Sequence, residues 1–175
     1  MNKLGRSFVV TLWAGSILTL APTFAAAEDA PAVPSEAPMV RVQSVEVIAS
    51  PGGPVVVLKI RNKAIPVFVE SLVAHSIQGA LAGQAPPRPL SHDLMHTILE
   101  SLDTKMSQAV ISLKDGTFYG AVTILAGGKP KVFDARSSDA IALAIRFKAP
   151  ILLDQTLIDS IGVDQQKAAP ANQGV

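Results

Sequence analysis

Polar side chains that could do chemistry gather at the start of one predicted helix: Asp134, Arg136, Ser137, Ser138 and Asp139. The apolar run over residues 140–147 predicts the helix itself. Free N–H groups and the positive dipole end of a helix N-terminus favour anions, so this cluster could bind an anionic ligand. In the alternative interpretation Ser137 caps the helix, Asp139 complements its dipole and Arg136 pairs with an aspartate.

A second polar group, Ser91, His92 and Asp93, opens another predicted helix. His92 and His96 are four residues apart and would project from one face, as metal ligands require. The Glu of the zinc-protease motif and a recognisable third ligand are missing from the sequence, which favours an exposed or capping pair. His92 is still a candidate acid or base near neutral pH. In the structural alternative, Ser91 caps the helix and Asp93 complements its dipole.

The elements that must position these groups come in an irregular order. Period-two alternation and β-branched runs predict strands over residues 40–48, 55–60, 64–69, 104–113, 117–125, 131–133 and 150–153. Apolar residues at helical spacing predict helices over 71–81, 91–102 and 140–147, with a terminal helical turn at 155–161. Runs of strands interrupted by three packed helices predict a single α+β domain with a mixed, largely antiparallel sheet.

The two ends of the chain differ from this domain in composition. Residues 1–27 have the basic start, apolar core and Ala-rich site of a secretory signal peptide. The apolar core stops at Pro22, short of the roughly 20 residues that a spanning helix needs, so no membrane span is expected after its removal. The sequence therefore predicts a signal peptide (1–27), a flexible linker (28–38), the domain (39–163), a flexible tail (164–175), and a periplasmic or secreted product.

Composition excludes several classes of protein. The chain has no cysteine, so it has neither a disulfide framework nor a catalytic thiol. Without residues 1–27 it carries 13 Lys and Arg against 14 Asp and Glu, a net charge of −1. That balance counts against tight, salt-dependent DNA binding. It does not exclude a nuclease, since metal ions can supply the positive charge that a phosphate needs.

Three blocks of the sequence together resemble the bifunctional nuclease family. They are RPLSHDL at 88–94, DGTFYG at 115–120 and VFDARSSDAIALAIRFKAPI at 132–151, in the family's order and at about its spacing. The resemblance covers roughly residues 39–154 and implies a hydrolase that cleaves phosphodiester bonds of DNA, RNA or both. One stretch departs from the family pattern, because Glu70 stands where relatives usually have glycine and Val73 where they usually have an acid.

The resemblance also implies a set of site residues. Metal-assisted hydrolysis needs converging carboxylates, a cation for the phosphate, and a base or metal-bound water. The candidates for Mg²⁺ or Mn²⁺ are Asp93, Asp134 and Asp139, which with His92 form the expected catalytic group. The expected substrate contacts are Arg136, Arg88, Ser137, Ser138 and Tyr119; Tyr119 could stack on a base, since Phe118 must point to the opposite face of the strand.

A second hypothesis is a non-catalytic secreted binding or assembly module. In it the 134–139 cluster is a structural cap or an anion-binding helix end, and the apolar helices form a homo-oligomer. Geometry separates the two hypotheses. Carboxylates that converge in a cleft favour hydrolysis, whereas carboxylates that cap separate helices and have local partners favour the module.

Overall fold

The computed structural model describes residues 38–165. The predicted signal peptide, nearly all of the predicted linker, and the tail from residue 166 lie outside the described residues. The described elements, in chain order, are β1 (Met39–Arg41), β2 (Ser44–Ser50), β3 (Gly53–Ile60), β4 (Lys63–Phe68), α1 (Ser71–Leu81), α2 (Ser91–Ser101), β5 (Lys105–Lys114), β6 (Thr117–Ala126), β7 (Lys129–Arg136), α3 (Ser137–Phe147), β8 (Ile151–Asp154), α4 (Gln155–Ile161) and β9 (Val163–Asp164).

The strands form two sheets rather than one. One has the order β1-β8-β5-β6-β7 and the other β2-β3-β4-β9. All pairings are antiparallel except that of β5 with β8. The α+β class with a mixed, largely antiparallel arrangement is therefore confirmed. The helix count is four within 38–165 rather than about three, because the terminal turn is a seven-residue helix whose N-cap, Asp154, accepts a hydrogen bond from Thr156 N.

The strand predicted over 40–48 is divided between the two sheets. Val42 N donates to Ile151 O in the first sheet at 2.9 Å, and Gln43 N donates to Lys59 O in the second at 2.8 Å. Adjacent backbone groups thus satisfy their hydrogen bonds on different partners, which breaks the strand at this point. The period-two pattern runs through the break, so the alternation alone does not reveal it.

The hydrophobic core lies between the helices and the inner faces of both sheets. Residues from β3, β4, α1, β5, α3, β8 and α4 contribute, and the largest fully buried side chains include Leu58, Ile65, Ile77, Ile111, Ile141 and Leu153. Helix α3 is the most buried helix, since Ala140, Ile141, Ala142 and Ala144 are all inaccessible. The small alanines let α3 approach both β5 and α1 closely, so its N-terminus has a fixed position.

Gly120 sets how closely α3 approaches the sheet. A Cβ atom at this position would lie 2.8 Å from Ala140 Cβ and 2.9 Å from Arg136 O. Those distances are too short for any side chain, so only glycine allows the start of α3 to pack on β6. The last glycine of the DGTFYG block thus positions the polar cluster at the start of α3.

The predicted hairpin turn at Asp115 and Gly116 is confirmed. Both residues have positive φ, 52° and 76°, as a two-residue turn with the twist of the strands requires. Asp115 tolerates this conformation because its short polar side chain is among the few that do. Within residues 38–165, the helices are all too short and too polar to cross a bilayer.

Candidate active-site cleft

The N-terminal turns of three helices converge on one cleft. A cavity of about 240 Å³ is lined by residues from the starts of α1, α2 and α3, among them Glu70, Leu72, His92, Met95, Arg136 and Asp139. Each helix start presents free backbone N–H groups and the positive end of a dipole. The fold therefore brings residues 91–93 at the start of α2 close to residues 136–139 at the start of α3. Chemistry on a phosphate, with or without a metal ion, needs polar groups that converge in this way.

His92 lies at the floor of the cleft, with 7% of its surface exposed. Its Nδ1 is 3.0 Å from Ser76 Oγ and its Nε2 is 3.1 Å from Asp139 Oδ1. An ionised carboxylate only accepts, so Nε2 carries the hydrogen and donates to Asp139. In the tautomer with the hydrogen on Nε2, Nδ1 accepts the hydroxyl hydrogen of Ser76. His92 is thus buried and fully paired, not an exposed or capping residue.

Asp139 connects His92 to Arg136. The guanidinium of Arg136 donates from Nε to Asp139 Oδ2 at 2.8 Å and from Nη2 to Oδ1 at 3.2 Å, a bidentate pair. Its Nη1 reaches Glu70 Oε1 at 3.3 Å. Arg136 itself is exposed and faces the cleft mouth, so it is the cation that an incoming anion would meet first.

A second arginine, Arg146, contacts both Asp93 and Ser76 behind His92. Arg146, with 7% of its side chain exposed, donates from Nε to Asp93 Oδ1 at 2.9 Å. It also donates to Ala142 O, to Ser76 O, and to Ser76 Oγ at 2.8 Å. Asp93 accepts the backbone N–H of Leu90 through Oδ2 at 2.9 Å, which completes the start of α2. One continuous network therefore links α1, α2 and α3.

The serine, histidine and aspartate of this network do not form a hydrolase triad. Ser76 is 3% exposed, and its hydroxyl already accepts from Arg146 and contacts His92. A nucleophilic serine must present its oxygen to the substrate. Ser76 instead holds His92 in one orientation.

Both carboxylates of the network are stabilised in their charged form. Burial raises the pKa of Asp139, but hydrogen bonds from Arg136 and His92 outweigh it, so this pKa lies below its ordinary value. Burial likewise raises the pKa of Asp93, and the hydrogen bonds from Arg146 and Leu90 N outweigh it in the same direction. The hydrogen bond and charge of Asp139 raise the pKa of Arg136. The site therefore holds fixed charges at neutral pH.

The remaining expected site residues lie around the cleft or away from it. Ser137 is buried and Ser138 half-buried in the first turn of α3. Arg136, not Ser137, is the N-cap of α3, and Leu90, not Ser91, is the N-cap of α2; neither cap uses a side-chain hydrogen bond. Arg88 is exposed in the loop before α2 and makes no ion pair with another described residue.

Asp134 and Tyr119 lie on the sheet, outside the cleft lining. Tyr119 is exposed and pairs in register with Arg136, whereas Phe118 packs against the core, as the strand alternation predicted. The side chain of Asp134, exposed on β7 opposite Ala121, makes no hydrogen bond or ion pair within residues 38–165. It is thus separated from Asp139 by its place on the strand.

The expected metal ligands do not form one group. Within the described residues there is no set of three or more His, Cys, Asp or Glu side chains placed to hold a metal ion. Asp93 is held by Arg146 and Asp139 by Arg136, and a cation would have to compete with those guanidinium groups. His96 points elsewhere, to Glu100 Oε2 at 3.4 Å and edge-on to the ring of Phe147. The donor set present does not fit a bound Mg²⁺ or Mn²⁺.

Ser76 and Arg146 are two residues of the network that the sequence patterns do not indicate as site residues. Arg146 follows an apolar run in α3, and a charged residue within a buried helix must find a partner. That signal could have indicated a buried ion pair. Ser76 offers no comparable signal, since a serine within an amphipathic helix is common and its partners come from distant parts of the chain.

Comparison with known proteins adds to this geometry. The family profile described as "Bifunctional nuclease domain" matches residues 56–166. The chain is also 30% identical over 127 residues to "Uncharacterized protein Rv1829" of Mycobacterium tuberculosis strain H37Rv and to "Uncharacterized protein MT1877" of strain CDC 1551. Each alignment covers 71% of this chain and 76% of the relative. The matched region contains the whole Glu70 to Arg146 network, and the chain belongs to the bifunctional nuclease domain family.

Proposed function

We propose that this protein is a nuclease that cleaves phosphodiester bonds of DNA or RNA in the cleft between α1, α2 and α3. The observation that carries the proposal is the His92–Asp139–Arg136 contact at the cleft, where an imidazole from the start of α2 meets a carboxylate and a guanidinium from the start of α3. Family membership supports nucleic acid as the substrate class.

Arg136 would hold the phosphate, since a planar guanidinium pairs well with phosphate oxygens. Asp139, the accepting partner of the His92–Asp139 pair and the more exposed of the two, would take the proton from an attacking water or ribose hydroxyl, and His92 would hold that carboxylate in position. As the new P–O bond forms, the bond to the leaving ribose oxygen breaks; that oxygen takes a proton from solvent, to which Asp139 later releases the proton that it received. Arg88, Ser137, Ser138 and Tyr119 are proposed as further contacts along the strand.

Whether cleavage requires a divalent ion is part of the test. Mg²⁺ or Mn²⁺ would supply charge for the phosphate and activate water when bound. Because Asp93 and Asp139 are already paired with arginines and Asp134 lies outside the cleft, we assign no step to an ion.

The test is cleavage of labelled single- and double-stranded DNA and RNA, with Mg²⁺, Mn²⁺ or EDTA. The variant is Asp139→Asn and the matched control is Asp134→Asn, an exposed aspartate outside the cleft. We expect Asp139→Asn to lose about a hundredfold in rate, as for loss of an acid–base group, and Asp134→Asn to keep the wild-type rate. Equal rates for both variants would move the reaction away from this cleft.

A non-catalytic binding module is the second candidate function. The observation that favours it is that each carboxylate has local partners, so no group of the network is free to act as a strong base. Under this alternative the chain binds a labelled oligonucleotide, Arg136→Ala weakens that binding, and no condition of the cleavage assay yields product.

We also propose that the chain is exported and that the mature form is periplasmic or secreted. The support is the basic, apolar and Ala-rich pattern of residues 1–27. The intact mass of protein recovered from the periplasm or medium tests this, with cleavage after residue 27 expected. Recovery of the full-length mass from the cytoplasm would contradict it.

A further inference from the structure

Helix α2 exposes most of the apolar stripe that defines it in the sequence. Leu94 is 52% exposed, Met95 42%, Ile98 48% and Leu102 65%. Leu99, the other leucine of the apolar pattern, packs against the core. Four large apolar side chains on one face are more than the single exposed residues that soluble proteins ordinarily show. We define Leu94, Met95, Ile98 and Leu102 as the α2 stripe.

The spacing of the stripe is that of a helix–helix seam. Met95, Ile98 and Leu102 follow one another at three and four residues, the pattern in which one helix packs along another. Leu94 lies one turn before Ile98 and widens the seam. The spacing therefore indicates that another helix with a similar apolar stripe would cover this surface.

Charge selects the occupant. Residues 89–104 contain no Lys or Arg, and they carry Asp93, Glu100 and Asp103. A surface that binds nucleic acid or an anionic membrane needs cations beside its apolar residues, and helix α2 itself supplies no Lys or Arg beside Ile98 and Leu102. Two copies of α2, antiparallel about a two-fold axis, would bring their uncharged stripe residues together and oppose their helix dipoles favourably.

We propose that the α2 stripe is a self-association surface through which two copies of this chain pair by an antiparallel contact of α2 with its symmetry mate. The proposal is independent of the nuclease function. Met95 also lines the cleft, so the contact would lie at the rim of the site, whereas Ile98 and Leu102 lie away from it.

The test is sedimentation velocity over a range of concentrations, with the chain purified after expression of its full sequence. The variant is Ile98→Glu and the matched control is Thr97→Glu, the exposed neighbour on the polar side of the same helix. We expect the wild type to dimerise, Ile98→Glu to weaken the dimer at least about tenfold, and Thr97→Glu to leave it unchanged. A wild type that is monomeric throughout, or equal effects of the two variants, would overturn the proposal.

A second measurement covers the case in which Ile98→Glu does not fold. The chain has no cysteine, so a single introduced thiol can form only an intermolecular disulfide. Ile98→Cys should cross-link under mild oxidation much faster than Glu100→Cys, an exposed position on the opposite face of the same helix. Equal rates of cross-linking would contradict the pairing.

Discussion

Arg136 is the residue through which the site would meet its substrate, and it is already occupied by two carboxylates. Asp139 holds it with two hydrogen bonds, whereas Glu70 holds it with one longer contact at 3.3 Å. Glu70 is also well exposed. A phosphate that approaches Arg136 would therefore displace Glu70 before Asp139. Glu70 is the weaker of the two competitors for the guanidinium.

Replacing Glu70 should strengthen the binding of anions. In Glu70→Gln the cleft loses one negative charge beside Arg136, and we expect up to about a fivefold gain in oligonucleotide affinity, as for an exposed ion pair of 0–1 kcal/mol. Fluorescence anisotropy with a labelled oligonucleotide at low and high salt measures it. The control is Glu46→Gln, whose carboxylate pairs with Lys59 on the other sheet. Equal affinities for the two variants would contradict this account of Glu70.

Much of the residue-scale picture followed from the sequence. The first-turn aspartates, the Arg136–Asp139 pair and the exposed Tyr119 all follow from local spacing, which a helix start or a strand fixes by itself. The sequence predicts that His92 lies at the start of α2, as observed, but it does not predict that His92 is buried. Burial depends on Ser76 and Asp139, which lie 16 and 47 residues away. Local pattern carries no information on such contacts.

At the scale of elements, Arg146 fastens α3 to α1 and α2. Removing it would leave Asp93, Ser76 O and Ser76 Oγ without their charged donor. We expect Arg146→Met to cost about 3 kcal/mol of unfolding free energy, the lower end for a broken buried pair, since Asp93 is partly exposed. Urea denaturation measures the loss. Arg88→Ala, at an exposed loop position, should stay within about 0.5 kcal/mol of wild type; similar losses in both would contradict the fastening role.

Gly120 fixes the distance between α3 and β6. In Gly120→Ala the new Cβ would collide with Ala140 and with the carbonyl of Arg136. We expect a loss of about 1–3 kcal/mol in stability, together with weaker oligonucleotide binding because the start of α3 must shift. The control is Gly52→Ala, where the nearest atom to the new Cβ lies 3.7 Å away. Thermal and urea denaturation of both variants compare them, and an undisturbed Gly120→Ala would refute the close-packing argument.

The elements themselves were largely predictable. The helix over 71–81 and the Asp115–Gly116 hairpin match the structure because periodicity and turn chemistry act within a few residues. The division of residues 39–50 between two sheets was not predictable, since it depends on which distant strand each half meets. The exposure of the α2 stripe was likewise not predictable from the sequence. An amphipathic pattern indicates that one face of a helix is apolar, but it does not indicate what covers that face.

At the scale of the whole molecule, the depressed pKa values of Asp93 and Asp139 link stability to pH. The pKa of an unfolded aspartate is about 3.9, and the pKa values of Asp93 and Asp139 in the folded protein lie below their ordinary value. Their contribution is therefore complete well above that pH and is lost as the pH falls through the folded pKa. We expect the urea midpoint to fall between about pH 5 and pH 3, and the fall to be smaller in Asp93→Asn.

The control for this acid dependence is Asp134→Asn. Asp134 has no hydrogen bond or ion pair within the described part of the chain, so its removal should leave the wild-type slope of midpoint against pH. A slope that is the same in Asp93→Asn and Asp134→Asn would show that the Arg146 pair does not contribute to the acid dependence of stability.

The central claim is that the His92–Asp139 pair at the cleft, with Asp139 as its accepting partner, takes the proton from the attacking oxygen in phosphodiester cleavage. The most direct measurement is cleavage of labelled RNA and DNA by His92→Ala with and without added imidazole, beside His96→Ala from the same helix. We predict that His92→Ala loses activity because Asp139 loses the donor that orients it, that imidazole bound in the vacated space restores part of the activity, and that His96→Ala stays active. An active His92→Ala, or a wild type that cleaves neither substrate under any metal condition, would contradict the claim.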